Sequence, residues 1–530
     1  MPKPFDLVLT GGLIVDGTGT EPARGDVAIR EGLIAQVGSF EKPDGSKELD
    51  VSGQVVCPGF IDIHSHSELL CLAAPGAESK VASGVTSEFS GNCGGSPFPV
   101  TGPFKSDLDR TASALDLKVS WSDAPGFFEE VTSAGSAINR GFFVGHGTLR
   151  AGAMGHERRK PKRKELTAMK RSAAAAMEAG CWGLSTGLIY PPGCFAETDE
   201  IIALAKSVKR YGGIYTSHIR GESGGVLDAV EEALEIGRSA KIGVQIAHLK
   251  VSGVRHWPLF EHLREMLMEA YESGADFAAD RYPYVASSTW LGSVLPSWTY
   301  EGGRERLLER LGSKAMRSRI AEEVAEDAEP DFWQRVRIAW VQNPELKQLE
   351  GMSVQEAAES RGQEPVDAVF EIILADGAQT SAIYFVMNEE HLVEIMQWPF
   401  VMVASDSGAR GLSGPSAEGK PHPRGYGTPT RVLRRYVREK PVLRLAEAIR
   451  KMTSMPAERL GMSDRGTLET GKAADVTVFD PEEITDHATF EEPKQLSGGV
   501  SHVLVGGTFV QREGKLTGER PGKVLLKGEA

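Results

Sequence analysis

Regular alternation of strand-like and helix-like segments is the feature that most constrains the fold of this chain. The segments GIYTSH, GGVLDAVEEALEIGRSA, IGVQIAHLK, PLFEHLREMLMEAYESG and ADFAADRYPY follow one another directly, and short apolar runs alternate with amphipathic ones. Alternation at this spacing is typical of βαβ units, whose strands lie parallel in one sheet. The central part of the chain is therefore predicted to be an α/β structure.

Eight predicted strands can be counted across the central region. They end at or near His64, Cys93, His146, Leu184, His218, His248, Arg281 and Asp406. Eight strands favour a closed (β/α)8 TIM barrel over an open doubly wound sheet. In such a barrel all strands end on one face, so residues that are distant in sequence converge there, and that face carries the chemistry.

Both ends of the chain have a different sequence pattern, which predicts short strands separated by turn residues. With 530 residues the chain is too long for one ordinary core. We expect a small discontinuous β-sandwich or barrel domain from 1–58 and 464–530, and a catalytic barrel from 59–463. The long gap after the seventh strand predicts an insertion at 290–365. It is either a lid over the site or a packing subdomain without substrate contact.

Composition and net charge limit which partners and which cellular location are expected for this protein. With 41% hydrophobic and 25% charged residues the chain is typical of a soluble globular protein. The net charge of −14 disfavours nucleic acid and anionic membranes as partners. No apolar run approaches the length of a membrane span, and five scattered cysteines indicate a reducing compartment. We expect a cytoplasmic protein with a small-molecule substrate, whose oligomeric state the sequence does not reveal.

Imidazole and thiol groups at the strand ends point to a metal. His64 and His66 are two residues apart on a predicted strand, so both side chains face the same side. Cys93 occupies the same level after the second strand, and His218 and His248 end consecutive strands. The alternatives are histidines satisfied within the core and a cysteine that only packs. Imidazole, thiolate and carboxylate together are the ligands of catalytic zinc, which predicts a metal-dependent hydrolase.

Asp406, in VASDS at the last strand end, is the candidate proton shuttle. A hydrolytic metal site needs a carboxylate that accepts a proton from water and returns it to the leaving group. The alternative is an aspartate that caps the next helix. The role of His146 stays open, and Arg281 and Arg424 either serve an acidic substrate or form surface salt bridges.

Several longer motifs resemble a known group of proteins. VCPGFIDIHSH, GVTSEFSGNCG, YTSHIRGE, AHLK, DRYPY, ASDS and GTLETGKAADVTVFD are similar to motifs of the amidohydrolase superfamily. Within that superfamily the chain resembles the N-acyl-D-amino-acid deacylases (D-aminoacylases). The cysteine after the second strand is the more specific mark, because many amidohydrolases share the HxH and GKAAD motifs.

The resemblance implies a role for each site residue. It implies one tightly bound Zn²⁺ ion and a second, weaker metal position. The tight site is implied for Cys93, His218 and His248, and the weaker one for His64, His66 and Asp406, with Asp406 as the acid and base. It further implies that the substrate α-carboxylate is held by Lys250, Tyr282 and Ser288, since an ammonium and two hydroxyls suit a carboxylate.

The expected reaction is hydrolysis of the amide bond of an N-acyl-D-amino acid by metal-activated water, with Asp406 as general base and acid. The fourth strand end carries Leu184, Ser185 and Thr186 and no lysine, which lowers the odds of a hydantoinase or dihydroorotase. Two alternatives stay open. One is an amidohydrolase that acts on a cyclic or dipeptide-like amide, and the other is a non-catalytic scaffold with the same fold.

Overall fold

The computed structural model describes residues 3–327 and 329–529. The strands of these residues are β1 (Leu7–Ile14), β2 (Ala23–Arg30), β3 (Leu33–Gly38), β4 (Glu48–Asp50), β5 (Val55–Pro58), β6 (Phe60–Asp62), β7 (Val85–Ser90), β8 (Asn139–Phe142), β9 (Val144–Gly145), β10 (Gly183–Gly187), β11 (Ile214–His218), β12 (Val244–Ile246), β13 (Phe277–Arg281), β14 (Ser287–Trp290), β15 (Val336–Trp340), β16 (Ser381–Tyr384), β17 (Val401–Val403), β18 (Val476–Phe479), β19 (Val500–Val505), β20 (Thr508–Arg512) and β21 (Lys515–Leu516).

The α-helices of the described residues lie between these strands. They are α1 (Leu70–Ala73), α2 (Glu78–Val81), α3 (Phe104–Ser113), α4 (Ala124–Ala134), α5 (His146–Met154), α6 (Arg163–Glu178), α7 (Thr198–Lys209), α8 (Val226–Ala240), α9 (Phe260–Glu272), α10 (Arg304–Gly312), α11 (Lys314–Asp327), α12 (Val354–Glu359), α13 (Pro365–Ala375), α14 (Glu389–Gln397), α15 (Arg424–Arg431), α16 (Leu445–Met452) and α17 (Ser454–Leu460). In the described part of the chain we find no helix that combines the length and the apolar character needed to cross a membrane.

The predicted barrel is confirmed. Parallel pairing runs from β6 through β7 to β8, and from β9 through β10, β11, β12 and β13 to β17. The third barrel strand is interrupted at Phe143, which separates β8 from β9. Hydrogen bonds join the first strand to the last, among them those from the Asp406 amide to the His64 carbonyl (2.8 Å) and from the Ser405 amide to the Asp62 carboxylate (2.9 Å).

Burial explains why these strands read as apolar runs. Every residue of the eight barrel strands is buried, as expected for a parallel sheet whose outer face is covered by helices. Helix α8 shows the covering pattern, because its buried residues Val226, Ala229, Val230 and Ala233 recur at helical spacing on one face. Polar residues are buried inside these strands as well, among them Glu88 and Arg140, which pair with each other.

Strands from both ends of the chain share one sheet. Its order is β21-β20-β19-β18-β5-β1-β2-β3, with β4 paired to β1. Antiparallel pairing of β18 with β5 joins the two ends, for example at Thr477 and Cys57. A single glycine, Gly59, separates β5 from the first barrel strand, so the sheet and the barrel are directly connected. The expected additional β unit is thereby confirmed.

The segment between the seventh and eighth barrel strands has its own sheet. Strands β14 and β15 both pair antiparallel with β16, and helices α10 to α13 pack around them. Buried residues such as Leu307, Ile338, Phe370 and Ile373 form a separate apolar core. This sheet extends beyond the range 290–365 expected for the insertion, because β14 starts at Ser287 and its partner strand ends at Tyr384.

The last residues of the chain cross the amino-terminal end of the barrel. The Arg140 amide donates to the Lys523 carbonyl (2.8 Å), and the Leu525 amide donates to the Arg140 carbonyl (2.7 Å). The indole of Trp182 donates to the Leu525 carbonyl at 2.8 Å. Leu525 packs with Phe89 and Trp182 in one buried cluster. This segment therefore covers the end of the barrel opposite the histidines and the cysteine that are predicted to bind metal.

A leucine pair tests this packing. Leu525 is 7% exposed and Leu412 is 58% exposed. We expect Leu525→Ala to lower the free energy of unfolding by about 2 kcal/mol or more, because it leaves a cavity in a packed cluster. Leu412→Ala is expected to change it by less than about 0.5 kcal/mol. Urea unfolding followed by fluorescence measures both, and equal effects would contradict the packing role of the C-terminal segment.

Candidate metal centre

The carboxyl ends of the barrel strands bring the predicted donors together. The Cys93 sulfur lies 3.5 Å from His64 Nε2, 3.7 Å from His218 Nδ1 and 3.6 Å from His248 Nε2. Among the residues that the structure describes, two groups have all ligand atoms within 4.8 Å of one another and share Cys93. These are Cys93 with His218 and His248, and Cys93 with His64, His66 and Asp406.

The first group has the dimensions of a zinc site. Zinc bonds of about 2.3 Å to sulfur and 2.0–2.1 Å to nitrogen, at tetrahedral angles, place sulfur and nitrogen about 3.6 Å apart. The separations from Cys93 to His218 and His248 agree with that value. The donor types and the two sulfur–nitrogen separations therefore fit a zinc ion.

Backbone strain accompanies this arrangement. Cys93, His248 and Asp406 have φ values of 51°, 37° and 51°, in the left-handed region that non-glycine residues rarely adopt. Such conformations cost about 1–3 kcal/mol each and persist where the surrounding structure enforces them. They turn three side chains from three strand ends into the same mouth.

The loop that carries Cys93 occupies the space next to the fourth strand. A Cβ atom on Gly187, the last residue of β10, would lie 2.0 Å from the Cys93 carbonyl oxygen. A residue with a side chain does not fit at that point without moving the loop. At Gly187, therefore, the fourth strand has no room for the side chain of a metal ligand.

Asp280 holds the ring of His64 and the backbone of His248. Its carboxylate contacts His64 Nδ1 at 3.0 Å and accepts the His248 amide at 2.8 Å, and its other oxygen accepts from Gln245 at 2.9 Å. Burial raises the pKa of Asp280, but the charge and hydrogen bond of His64 outweigh it and lower the pKa. An ionised carboxylate on Nδ1 directs His64 Nε2 towards the Cys93 sulfur.

Glu222 has a similar role on the other side of the site. It contacts the Lys250 ammonium and lies 2.9 Å from His248 Nδ1 and 3.8 Å from His218 Nε2. Burial raises the pKa of Glu222, but the charges of Lys250, His218 and His248 hold it well below the usual range. Glu222 therefore presents a carboxylate behind both histidines of the predicted tight site.

Asp406 is held by neighbours of opposite charge. Its carboxylate lies 3.0 Å from His66 Nε2, 3.3 Å from His64 Nε2 and 2.7 Å from the Arg424 guanidinium. Burial raises the pKa of Asp406, but Arg424 and the nearby imidazoles outweigh it, so the pKa lies well below its usual range. The group is thus an ionised carboxylate that can accept a proton.

The sequence leaves two interpretations for Arg281 and Arg424, contact with an acidic substrate or surface salt bridges. Both arginines are buried, so the interpretation as surface salt bridges is wrong. Arg281 is 2% exposed and donates to the Tyr284 carbonyl at 3.0 Å. Arg424 is 5% exposed, stacks 4.6 Å from the Tyr282 ring centroid and pairs with Asp406. Arg424 therefore belongs to the wall of the site.

The three residues expected to hold a carboxylate all line the pocket of about 250 Å³ at the donors. Lys250 Nζ contacts Glu222, and it lies 2.9 Å from both Nδ1 and the carbonyl oxygen of His248. The Tyr282 hydroxyl is buried and has no hydrogen-bond partner among the residues that the structure describes. Ser288 lies on β14, so the insertion sheet forms one wall of this pocket.

His146 lies outside the donor cluster. It begins α5, and its Nε2 contacts Glu200 at 2.9 Å; Arg150 contacts the same carboxylate. Tyr190, which the sequence did not single out, lies on the pocket wall instead. Its ring packs 5.0 Å from that of His218, and its hydroxyl lies 3.0 Å from the Thr289 hydroxyl.

Comparison with known proteins agrees with this site. The sequence profile of the Amidohydrolase family matches residues 47–511, and this chain belongs to that family. It is 36% identical to an N-acyl-D-glutamate deacylase and 34% identical to a D-aminoacylase, both from Alcaligenes xylosoxydans xylosoxydans. The alignments cover 99% and 100% of this chain, and 98% and 99% of those proteins.

A solved structure extends the similarity to three dimensions. The N-acyl-D-glutamate deacylase of Bordetella bronchiseptica, crystallised with zinc and a phosphonate inhibitor that mimics the tetrahedral intermediate, superposes with a TM-score of 0.83 at 34% identity. The match covers 99% of this chain and all of the other. The present chain therefore has the same fold as that deacylase, a barrel with an additional β unit.

Sequence reasoning missed the residues that support the donors. Asp280, Glu222 and Tyr190 were not identified from the sequence. A signal existed for two of them, because Asp280 is an acidic residue inside the strand segment FAADR and Glu222 follows His218 by four residues in HIRGE. Neither spacing is unusual by itself, so only the folded arrangement distinguishes them from surface residues.

Cysteine reactivity tests the electrostatics of the site. Burial raises the pKa of the Cys93 thiol, but the charge of His64 and hydrogen bonds from His218 and His248 lower it well below its ordinary value. Burial raises the pKa of Cys194, which is equally half-buried, to about 11. In metal-free protein we expect iodoacetamide to label Cys93 first, with a rate that changes little between about pH 6 and 8.

The matched reference is Cys194, whose labelling rate should rise about tenfold per pH unit because its thiolate fraction does. Peptide mass spectrometry follows both sites in one sample, and Cys93→Ser identifies the fast site. Labelling of Cys93 that rises as steeply as that of Cys194 would contradict the assigned thiolate.

Proposed function

We propose that this protein is a zinc-dependent hydrolase that cleaves the amide bond of N-acyl-D-amino acids, giving a carboxylate and a free D-amino acid. The observation that carries the proposal is the placement of the Cys93 sulfur 3.7 and 3.6 Å from nitrogens of His218 and His248. Full-length similarity to an N-acyl-D-glutamate deacylase and a D-aminoacylase supports the substrate class.

The tightly bound metal would be held by Cys93, His218 and His248. His64, His66 and Asp406 would hold a second, more weakly bound metal, since their ligand atoms group with Cys93 within 4.8 Å. When bound, zinc supplies Lewis-acid chemistry, which polarises a carbonyl and lowers the pKa of water to about 7. Carboxylates behind the imidazoles, from Glu222 and Asp280, keep these ligands oriented.

Asp406 would move the proton of the reaction. As an ionised carboxylate it accepts the proton of the attacking water and then gives it to the departing amine nitrogen, so that the amine leaves as a neutral group. Arg424 and His66 fix the carboxylate at 2.7 and 3.0 Å. Its charged neighbours keep Asp406 ionised at neutral pH, which is the form that accepts a proton, and transfer from the protonated carboxyl to a basic amine nitrogen is favourable.

The substrate α-carboxylate would be bound by Lys250, Tyr282 and Ser288. The Tyr282 hydroxyl, buried without a partner in the described chain, is ready to donate a hydrogen bond. Lys250 would exchange its contact with His248 for the substrate, and Glu222 stays beside it. With the carboxylate held on one side and the carbonyl at the metal, a pocket wall that admits the side chain on only one side of the α-carbon would set the preference for D-amino acids.

We also propose a domain organisation for the chain. Residues 1–58 and 464–530 would form the small β domain and residues 59–463 the barrel, with the insertion as a wall and a possible lid. Pairing of β5 with β18 supports this division. A cytoplasmic location is supported by the free thiols of all five cysteines.

An enantiomer panel tests the function. N-acetyl derivatives of D- and L-amino acids are incubated with zinc-loaded protein and with chelator-treated protein, and free amine is measured. We expect kcat/KM to favour the D-enantiomer by at least about a hundredfold, because in the L-enantiomer bound by the same two anchors the side chain meets the pocket wall. We expect activity to vanish on chelation and return with zinc. Equal rates on both enantiomers, or turnover only of hydantoins, lactams or dipeptides, would refute the proposal.

Asp406→Asn tests the proton transfer. We expect this variant to keep its zinc at Cys93, His218 and His248 and to lose about 10²–10⁴-fold in kcat, because the amide cannot accept a proton. Zinc content and kcat are measured on the same preparation. Asp276→Asn, at a side chain that is 70% exposed, serves as the control. Retained activity in Asp406→Asn would remove this residue from the mechanism.

A further inference from the structure

A large cavity adjoins the metal pocket and has no assigned ligand. This outer cavity has a volume of about 600 Å³ and shares His66, Ser288, Asp406 and Arg424 with the smaller pocket. Trp290 and Leu307 of the insertion lie on one wall, and the loop 407–421 that follows the last barrel strand forms part of another. A substrate bound at the donors would therefore extend one of its substituents into the outer cavity.

The carboxylates of the outer cavity already have cationic partners. Asp107 pairs with Arg110 at 2.5 Å, Asp406 pairs with Arg424 at 2.7 Å, and Glu418 pairs with Lys347 at 3.2 Å. These three are the acidic residues among the described residues that line the cavity. Two arginines of the wall remain, Arg304 and Arg410.

Arg410 is the more isolated of these two. Arg304 donates to the Gly377 carbonyl at 2.7 Å and lies 3.6 Å from Glu305. Arg410 forms no ion pair with a carboxylate in the ranges 3–327 and 329–529, and its guanidinium donates only one long hydrogen bond, to the Ser416 carbonyl at 3.3 Å. Its Nε is buried without a partner in those ranges. A guanidinium keeps its charge in proteins, so this group is under-compensated.

The backbone around Arg410 is fixed. The Ala409 amide donates to the Ser67 hydroxyl at 2.7 Å, and the Arg410 amide donates to the Ser79 hydroxyl at 2.9 Å. The Ser79 amide in turn donates to the Arg410 carbonyl at 3.1 Å. These bonds attach the loop to the segment that follows the first barrel strand. Arg410, four residues after Asp406, is therefore presented to the cavity from a rigid support.

We propose that the outer cavity binds a second carboxylate of the substrate and that Arg410 is its principal contact. The carboxylate belongs either to an acidic D-amino-acid side chain or to a dicarboxylic acyl group, since both place an anion beyond the hydrolysed amide. This inference rests on the proposed amidase function and names a substrate class within it. A bidentate carboxylate completes the hydrogen bonding of a guanidinium and neutralises it in a partly apolar wall.

Two substrate pairs that differ in one charge test the proposal and identify the source of the anion. N-acetyl-D-glutamate is compared with N-acetyl-D-glutamine, and N-succinyl-D-leucine with N-succinamoyl-D-leucine. For each pair the ratio of kcat/KM, acid over amide, is measured for wild type, Arg410→Gln and Arg410→Met. In at least one pair we expect both variants to lower the ratio about 10- to 100-fold, since hydrogen bonds to charged groups contribute on that scale.

The control is Lys420→Gln, which removes a positive charge from the same loop at a residue that does not line the outer cavity. Its ratios are expected to equal those of wild type. Because each ratio is measured within one preparation, loss of folded protein cancels, and either Arg410 variant suffices. A fall in the first pair assigns the anion to the side chain, and a fall in the second assigns it to the acyl group.

Ratios that do not change in either pair would overturn the role of Arg410. Failure of the proposed function is distinguishable, because in that case neither the acids nor the amides would be hydrolysed by wild type. Turnover of the neutral amides with ratios independent of residue 410 would leave the deacylase function intact and exclude only the second carboxylate site.

Discussion

The convergence of several metal-type donors on one sulfur is the constraint on which the rest of the structure depends. Three imidazole nitrogens lie within 3.7 Å of Cys93 in a buried mouth, and a carboxylate adjoins them. Buried polar groups this close need either protons or a cation to compensate them. The depressed pKa of Cys93 shows that the site favours the thiolate, which is the form that binds a metal.

Supporting hydrogen bonds maintain that convergence against backbone strain. Left-handed backbone at Cys93, His248 and Asp406 is unfavourable locally, so it requires a surrounding structure that allows no alternative. Part of that structure is Asp280, whose carboxylate holds one histidine ring and one backbone amide. Another part is the hydrogen bond between residues 406 and 64, which joins the last barrel strand to the first.

The chain also surrounds the donors with binding surfaces of different character. The pocket at the metal-type residues is small and carries a buried hydroxyl, a lysine and a serine, whereas the outer cavity is larger and has an under-compensated arginine. The insertion sheet contributes to both through β14. Its own apolar core makes it a packed unit, and its edge residues make it part of the site. A unit with its own core thus also lines the site.

The sequence by itself determined the barrel and the six candidate donors, because strand periodicity and residue type are local properties. Only the tertiary structure decided which neighbours act on those donors. Glu222, Asp280 and Arg424 are ordinary acidic or basic residues in sequence, and their roles come from burial and from distances of 2.7–3.8 Å to groups far along the chain. Such distances depend on how strands and loops pack, and no local pattern encodes them.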